Sequence, residues 1–301
     1  SGKTNVNYSG NVRFNDAIGI PELMDSYTFA QYFNRASSNR GGGDIFSPAV
    51  MERIKAYQEG TLTATTVDNG SGIWQKWANA NGNTDWFGEF YDNWVPSQEH
   101  NLSISGGTEK LQYVLSGSFL DQKGLLRHGT DKFQRYTLNS KITANITDWL
   151  KVTLNSKWTR EDFQRPTYLT SSFFHNLARK WPVHPAYDPN GFPMDEGEIE
   201  QMENGGEQNS QKDYYTNQLH VVIEPIKNWR INLEGSVRTT TQYQHWEVLP
   251  VHAYDVNGDP YYTVWDMGYG SYSAGSSRVD EYSWKENYYT TNIYSDYFKQ
   301  F

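Results

Sequence analysis

Between Tyr136 and Thr159 the side chains alternate between apolar and polar, and this period of two limits the fold more than any other feature. Tyr136, Leu138, Ser140, Ile142, Ala144 and Ile146 fall on one side, and Thr137, Asn139, Lys141, Thr143 and Asn145 on the other. After Thr147-Asp148 the pattern restarts with Leu150, Val152, Leu154, Ser156 and Trp158, against Lys151, Thr153, Asn155, Lys157 and Thr159. Successive side chains of a strand point to opposite faces, so each segment makes a strand with one apolar and one polar face. A connection of so few residues joins only antiparallel neighbours.

The same alternation is found elsewhere. Val6, Tyr8, Val12 and Phe14 share a face in the first strand, and Leu102 and Ile104 in a short one from His100 to Gly106. Leu111, Tyr113, Leu115 and Phe119 form another, as do Tyr215, Leu219, Val221 and Ile223, followed by Trp229, Ile231, Leu233 and Val237. Tyr288 to Phe301 is strand-like, but its many aromatics leave the facing open. That makes roughly eight strands.

The connections between them alternate in length. Three are very short, around Gly107, at Thr147-Asp148 and from Pro225 to Asn228. The long ones cover about 15–97, 121–132, 164–212 and 247–287. Strict alternation of short turns and long loops is the habit of an up-and-down outer-membrane barrel, whereas sandwiches mix connection lengths through Greek keys. The first long loop carries helix signals. Ser26 or Thr28 caps Phe29 to Ala36, and Ser47-Pro48 opens Ala49 to Gln58, which Gly60 ends.

Composition agrees with a wall between lipid and water. Aromatics reach 16% of residues, with 22 Tyr and 11 Trp, while mean hydropathy is −0.79. Amphipathic rings suit a membrane interface or a sugar-binding surface, and composition alone leaves both open. No apolar run approaches the roughly 18 residues of a membrane-spanning helix. A barrel strand needs only about 9–11 residues of alternating character. A net charge of −9 with no basic stripe excludes nucleic acid as a partner. Cysteine is absent, so there is neither a disulfide nor a thiolate metal site.

Ordered motifs then suggest a family. Lys3 to Asn15 resembles the first barrel strand after the plug in SusC/RagA-like TonB-dependent outer-membrane transporters. Pro21-Glu22-Leu23-Met24 fits the same place, and Asn83-Thr84-Asp85-Trp86-Phe87 resembles the family's Asn-Thr-Asp-Trp segment. His100 to Gly107 is similar to its next strand, and Phe119-Leu120-Asp121-Gln122-Lys123-Gly124 to its Asp-Gln-Glu-Gly turn, before Arg135-Tyr136. The resemblance covers Lys3 to about Trp158. It implies a plugged barrel of the roughly 22-strand class, of which residues 1–301 are the N-terminal part without the plug. It also implies TonB as the energy source, acting through the missing N-terminal part, and a SusD-like surface lipoprotein as a lid. Ser1-Gly2-Lys3-Thr4 runs straight into a strand, which reads as a cut end.

The function expected from this is import of an oligosaccharide across the outer membrane of a Gram-negative bacterium. A peptide importer of the same family, a self-contained eight-stranded structural or adhesive barrel, and a secreted carbohydrate-active β protein are the alternatives. No catalytic constellation stands out: His-Glu-x-x-His and Gly-x-Ser-x-Gly are both absent, and neither a metal nor a cofactor is expected. Asp195-Glu196 and Glu198-Glu200 read as acidic loop surface rather than a glycosidase pair. Asp188-Pro189-Asn190-Gly191 and Asp255-Val256-Asn257-Gly258-Asp259 read as tight turns rather than calcium loops.

Ligand contacts are expected from loop aromatics and a neighbouring acid: Trp74, Trp77, Trp86, Asp85, Trp181 and Trp265. A flat ring offers its face to the C–H side of a sugar, and Asn83, Arg179 and Asp266 stand near enough in sequence to bind hydroxyls. Trp149, Trp158 and Trp229, at strand ends, read as girdle residues. Arg135, Lys141, Lys157, Glu234 and Arg238, on the polar faces, are expected to face the lumen.

Overall fold

The computed structural model describes residues 2–263, 265–266, 271–272 and 274–299. Eight long strands form a single antiparallel sheet in sequence order. They are β1 (Gly2–Asn15), β2 (Val95–Gly107), β3 (Leu111–Lys123), β4 (Lys132–Thr147), β5 (Leu150–Pro166), β6 (Glu207–Ile226), β7 (Trp229–Val248) and β12 (Arg278–Tyr297). Two small hairpins lie in the last loop, β8 (His252–Tyr254) with β9 (Pro260–Tyr262), and β10 (Trp265–Asp266) with β11 (Ser271–Tyr272). Among the described residues β1 and β12 pair on one side only, and the eight strands do not close on each other.

The register turns the alternating pattern into two surfaces. Leu138 stands beside Trp158, which stands beside Tyr215; Ile142, Leu154 and Leu219 form the next apolar row but one. One row set therefore collects Val6, Ile104, Leu115, Leu138, Ile142, Leu154 and Leu219 on a single face. Among the described residues nothing packs over that face: Leu138 is 57% exposed and Leu154 41%. From Tyr136 to Ile146 the band is about 34 Å along the strand, or about 24 Å tall at a 45° tilt, the height of a barrel's lipid-facing band. Above Tyr136 the same face turns polar, with Arg160 clasping Asp213 through two hydrogen bonds of 2.9 Å.

The expected strand order and short turns hold. Gly107 at φ +145° opens the β2–β3 turn, where a Cβ would collide with the carbonyl oxygen of Leu111. Asn228 at φ 68° serves the β6–β7 turn. The strands outrun the apolar pattern on the loop side. β6 begins at Glu207, because Gln208 to Lys212 ladder against β5 without any apolar residue to mark them. The last strand starts at Arg278 rather than Tyr288 and ends at Tyr297; Gln300 and Phe301 lie outside the described residues. The long loops accordingly run over 16–94, 124–131, 167–206 and 249–277.

The first long loop folds into α1 (Ser26–Asn39), α2 (Pro48–Gln58) and α3 (Trp86–Phe90), and the third into α4 (Ser171–Ala178) and α5 (Ile199–Asn204). α2 begins as its sequence predicts, with Ser47 accepting from the Val50 N–H and Pro48 in the first turn. The cap of α1 is Asp25, not Ser26 or Thr28, and its carboxylate accepts from the Thr28 N–H at 2.9 Å. Most of the buried side chains lie in these loops; the sheet adds a few, chiefly Val95 and Val248 at its loop end. One cluster joins Trp86, Phe90, Phe173, Leu177, Ile199 and Met202; a second joins Ala30, Phe46, Val50, Ile54 and Val183. The long loops thus pack on one another as one body at one end of the wall.

Candidate functional site

Two regions can meet a solute, the loop body and the polar face of the wall. The centre of the loop body joins the first, third and fourth long loops through charges. The Lys76 ammonium lies 2.6 Å from both Asp195 Oδ2 and Glu196 Oε1, and the Thr263 hydroxyl donates to Asp195 Oδ1 at 2.8 Å. Burial works against the Lys76 charge, but the hydrogen bonds to Asp195 and Glu196 together hold its pKa above the ordinary lysine value. The indole N–H of Trp77 donates to Glu196. Trp77 and Glu196 both adopt positive φ, at 51° and 62°, conformations that an ordinary loop avoids and that a surrounding network must hold.

His184 closes the centre from below. Its Nε2 donates to the Asp195 carbonyl at 3.0 Å and its Nδ1 accepts from the Trp77 N–H at 3.4 Å, so one neutral tautomer satisfies both. Burial, with Lys180 and Lys76 adding to it, pushes the His184 pKa well below the usual value and keeps the ring uncharged. Trp181 sits among Phe29, Phe33, Phe46 and Trp77 at ring-centroid distances between 5.0 and 5.9 Å.

The ligand residues read from sequence separate into three groups. Trp77 and Trp181 meet at this centre, both half-buried. Trp86 is fully buried, its N–H bonded to the Trp181 carbonyl at 3.0 Å and its ring under the Lys180 ammonium at 4.8 Å, so it has no face for a ligand. Asp85 caps α3 by accepting from the Gly88 N–H, and Trp74 bridges to Asp68 at the base of a turn. The Trp265 backbone pairs with Tyr272 and the Asp266 backbone with Ser271, while their side chains lie outside the described residues. Asn83 accepts from the Ser26 N–H, tying two parts of the first loop together, and Arg179 donates to Asn176 at the end of its own helix.

Sequence reading misses Lys76, His184 and Thr263, which no local pattern marks. The acidic stretch also departs from its reading as loop surface. Glu198 and Glu200 are buried, at 6% and 8% exposure, and Glu198 pairs with the equally buried Lys180 at 3.1 Å while accepting from Tyr168 and Asn176. Buried charges survive only when paired and hydrogen-bonded, which this carboxylate is. The two Asp-Asn-Gly stretches are turns: Asp188 accepts from the Asn190 and Phe192 N–H groups, and Asp255 from those of Asn257 and Asp259. A groove of about 500 Å³ runs beside the loop body, walled by 20–25 and by Asn83, Thr84, Asp85, Phe87 and Gly88. Two segments some sixty residues apart, each singled out in the sequence, share this one feature.

The second region is the wall's polar face. Arg135, Lys141, Lys157, Glu234 and Arg238 all fall on it. The register sets Lys157 and Arg238 in one row with Asn139, Thr216 and Tyr288, and Arg135 in a row with Glu161 and Lys212. Trp158 stands on the opposite, apolar face, while Trp149 and Trp229 mark its turn end at 51% and 37% exposure.

No family model matches the chain. Over 77 residues, a quarter of its length, it is 32% identical to the TonB-dependent receptor SusC of Bacteroides thetaiotaomicron, covering 7% of that protein. Over 73 residues it is 34% identical to the TonB-dependent receptor P3 of Formosa agariphila, again 7% of the relative. In fold it is similar to the RagAB peptide importer in its "open-open" state, with a TM-score of 0.69 over 99% of this chain and 32% of that one, at 16% identity. The "closed-closed" state gives 0.68 over 99% and 33%, at 15% identity. The chain therefore spans about a third of the importer chain whose fold it shares. It resembles a SusC/RagA-like TonB-dependent transporter, and its sheet has the fold of a portion of a RagA-like β-barrel.

Proposed function

We propose that residues 1–301 form the N-terminal part of the barrel of a TonB-dependent importer, which carries a nutrient, an oligosaccharide, inward from the loop side. The observation that carries this reading is the sorting of one sheet's side chains. A bare apolar band suits lipid, the opposite polar face suits a water-filled lumen, and all the long loops gather at one end. Loops at that end would receive the cargo beside Trp77 and along the groove at 20–25 and 83–88. A SusD-like lipoprotein would close over them, and TonB would act through a plug. The long unpaired edges of β1 and β12 support continuation of the barrel on both sides, since bare edges of this length invite further pairing. No covalent chemistry enters this reading.

Peptide cargo is the second reading, favoured by the fold shared with a peptide importer. The test is uptake by cells expressing the complete protein, comparing labelled oligosaccharides with labelled peptides. Energy-dependent entry of a sugar supports the first reading, entry of peptide alone supports the second, and entry of neither defeats both.

A further inference from the structure

The wall's polar face is strongly basic, in a chain whose net charge is −9. Across β4 to β7 this face carries seven cations that make no ion pair among the described residues: Arg135, Lys141, Lys151, Lys157, Arg165, Lys212 and Arg238. Its carboxylates are Glu161, Glu224 and Glu234. Glu224 is tied to Arg230 at 3.5 Å, and Glu234 and Glu161 accept from the hydroxyls of Tyr294 and Tyr214. β12 adds Glu286 between Tyr288 and Trp284, with Asp280 and Asp296 near its ends; Asp280 pairs with Arg278 at 2.7 Å. The opposite face of β4 to β7 has the reverse balance, with Asp162, Glu207, Asp213 and Glu247 against Lys132 and Arg160. The pleat therefore sorts charge as well as polarity.

The cations are spaced to act together. Lys157 and Arg238 share a row with one strand between them, about 10 Å apart at the backbone. Lys141 lies beside Asn155, diagonal to Lys157, and Lys212 lies two residues along β6 from Tyr214. A concave, low-dielectric wall lined with one sign of charge concentrates counter-ions. Aromatic rings stand among these groups: the Arg238 guanidinium lies over Tyr288 at 5.4 Å, the Lys212 ammonium over Tyr214 at 5.1 Å, and Trp284 projects from the same face of β12. Tyr288 is 54% and Trp284 39% exposed. Neutral donors and acceptors, Thr159, Thr216, Asn139 and Gln218, fill the positions between.

We infer that the cargo is an acidic oligosaccharide, its carboxylate or sulfate groups following the cations from Arg135 and Lys212 down to Lys141 and Lys151. The rings of Tyr288 and Trp284 would take its apolar C–H faces, and the hydroxyl and amide groups its hydroxyls. This inference rests on the import reading above and names the class of substrate for it.

The experiment measures uptake of a labelled galacturonic-acid hexamer and a labelled neutral galactose hexamer by cells expressing the complete protein. Wild type should take up the acidic hexamer about ten-fold faster, in the range that electrostatic focusing supplies. In the variant K141Q/K157Q/R238Q the ratio of acidic to neutral uptake should fall about ten-fold, to near one, and K141R/K157R/R238K should keep the preference. Unchanged protein level and heat-modifiable mobility establish that the variants fold. Equal entry of both hexamers, or an acidic preference that survives the triple variant, overturns the inference while leaving import standing. Entry of an acidic peptide in place of either sugar overturns it likewise. Loss of folding in K141Q/K157Q/R238Q with no change in preference in the single variants assigns the cations to a protein segment in the lumen, and also overturns it. Entry of no solute at all defeats the import reading itself.

Discussion

The indole of Trp77 lies flat on the imidazole of His184, ring centroids 4.5 Å apart and planes within 14°. The pair joins two loops more than a hundred residues apart in sequence, and His184 is fully buried beneath it. Trp77 thus has one face committed to the protein. Replacing Trp77 by Ala should weaken cargo binding about ten-fold, near the upper value for a lost aromatic contact. Isothermal titration on the complete protein checks this. Trp181→Ala, which removes a ring packed among four others, should instead destabilise the loop body by about 3–5 kcal/mol.

His128 clasps three loops. Its Nδ1 lies 2.6 Å from Glu203 of α5 and its Nε2 3.1 Å from Glu89 of α3, with the side chain almost wholly buried. Substitution by Ala removes both hydrogen bonds, while Glu89 keeps the Tyr187 hydroxyl and Glu203 keeps solvent, so the cost is about 1 kcal/mol. Hydrogen exchange should quicken at 124–131 and 199–204, while the strands of the wall stay protected. Uniform quickening across wall and loops would contradict this.

Lys180 and Glu198 form the buried ion pair of the loop body, and burial holds the Lys180 pKa below the ordinary value despite Glu198. Glu198→Gln should cost about 3–5 kcal/mol in loop stability, because it strands a buried ammonium. A lysine depressed in the fold binds fewer protons there than when unfolded. Its cost is therefore full below the lowered folded pKa and is relieved as pH rises towards 10.5. Limited proteolysis of the loops in Glu198→Gln should accordingly slow as pH rises from 7 to 10.

Asp25 gives the opposite sign. Hydrogen bonds from the Thr28 side chain first, then from Gln58 and the Thr28 N–H, hold its carboxyl down at about 2, from 3.8. The stability it lends α1 is present above 3.8 and is lost as pH falls through about 2. Exchange at 26–39 should rise over that window in wild type. In Asp25→Asn, which still caps but does not titrate there, the rise should vanish.

Gly107 makes its turn at a φ that side chains avoid, with the Leu111 carbonyl where a Cβ would go. Gly107→Ala should destabilise the β2–β3 turn by more than about 1 kcal/mol. The measurement is the fraction of heat-resistant barrel after refolding in detergent, which should fall.

The wall is legible in the sequence because its causes are local. Alternation at Leu138, Lys141 and Leu154 and the short turn at Asp148 set strand, face and direction without reference to anything distant. The sheet's charged, non-alternating ends, such as Gln208 to Lys212, are strand only because a neighbour pairs with them. The facing of β12 is ambiguous in the sequence because Tyr288 and Tyr289 put rings on both faces of an edge strand. The loop centre is not legible. Lys76 finds Asp195 across 119 positions, and nothing near either residue signals the other. Residue type alone marks Trp86 as a ligand contact, yet it is buried because α3, α4 and α5 close over it.

Lipid on one face of this sheet and water on the other is the arrangement from which the rest follows. The chain has no cysteine, so single cysteines can be placed at Leu138, Leu154 and Leu219 on one face and at Lys141, Lys157 and Arg238 on the other, in the complete protein in bilayers. Spin labels at the first three should relax with dissolved oxygen and at the last three with a water-soluble nickel complex. Nickel access at Leu138, Leu154 and Leu219 would contradict the assignment of the two faces.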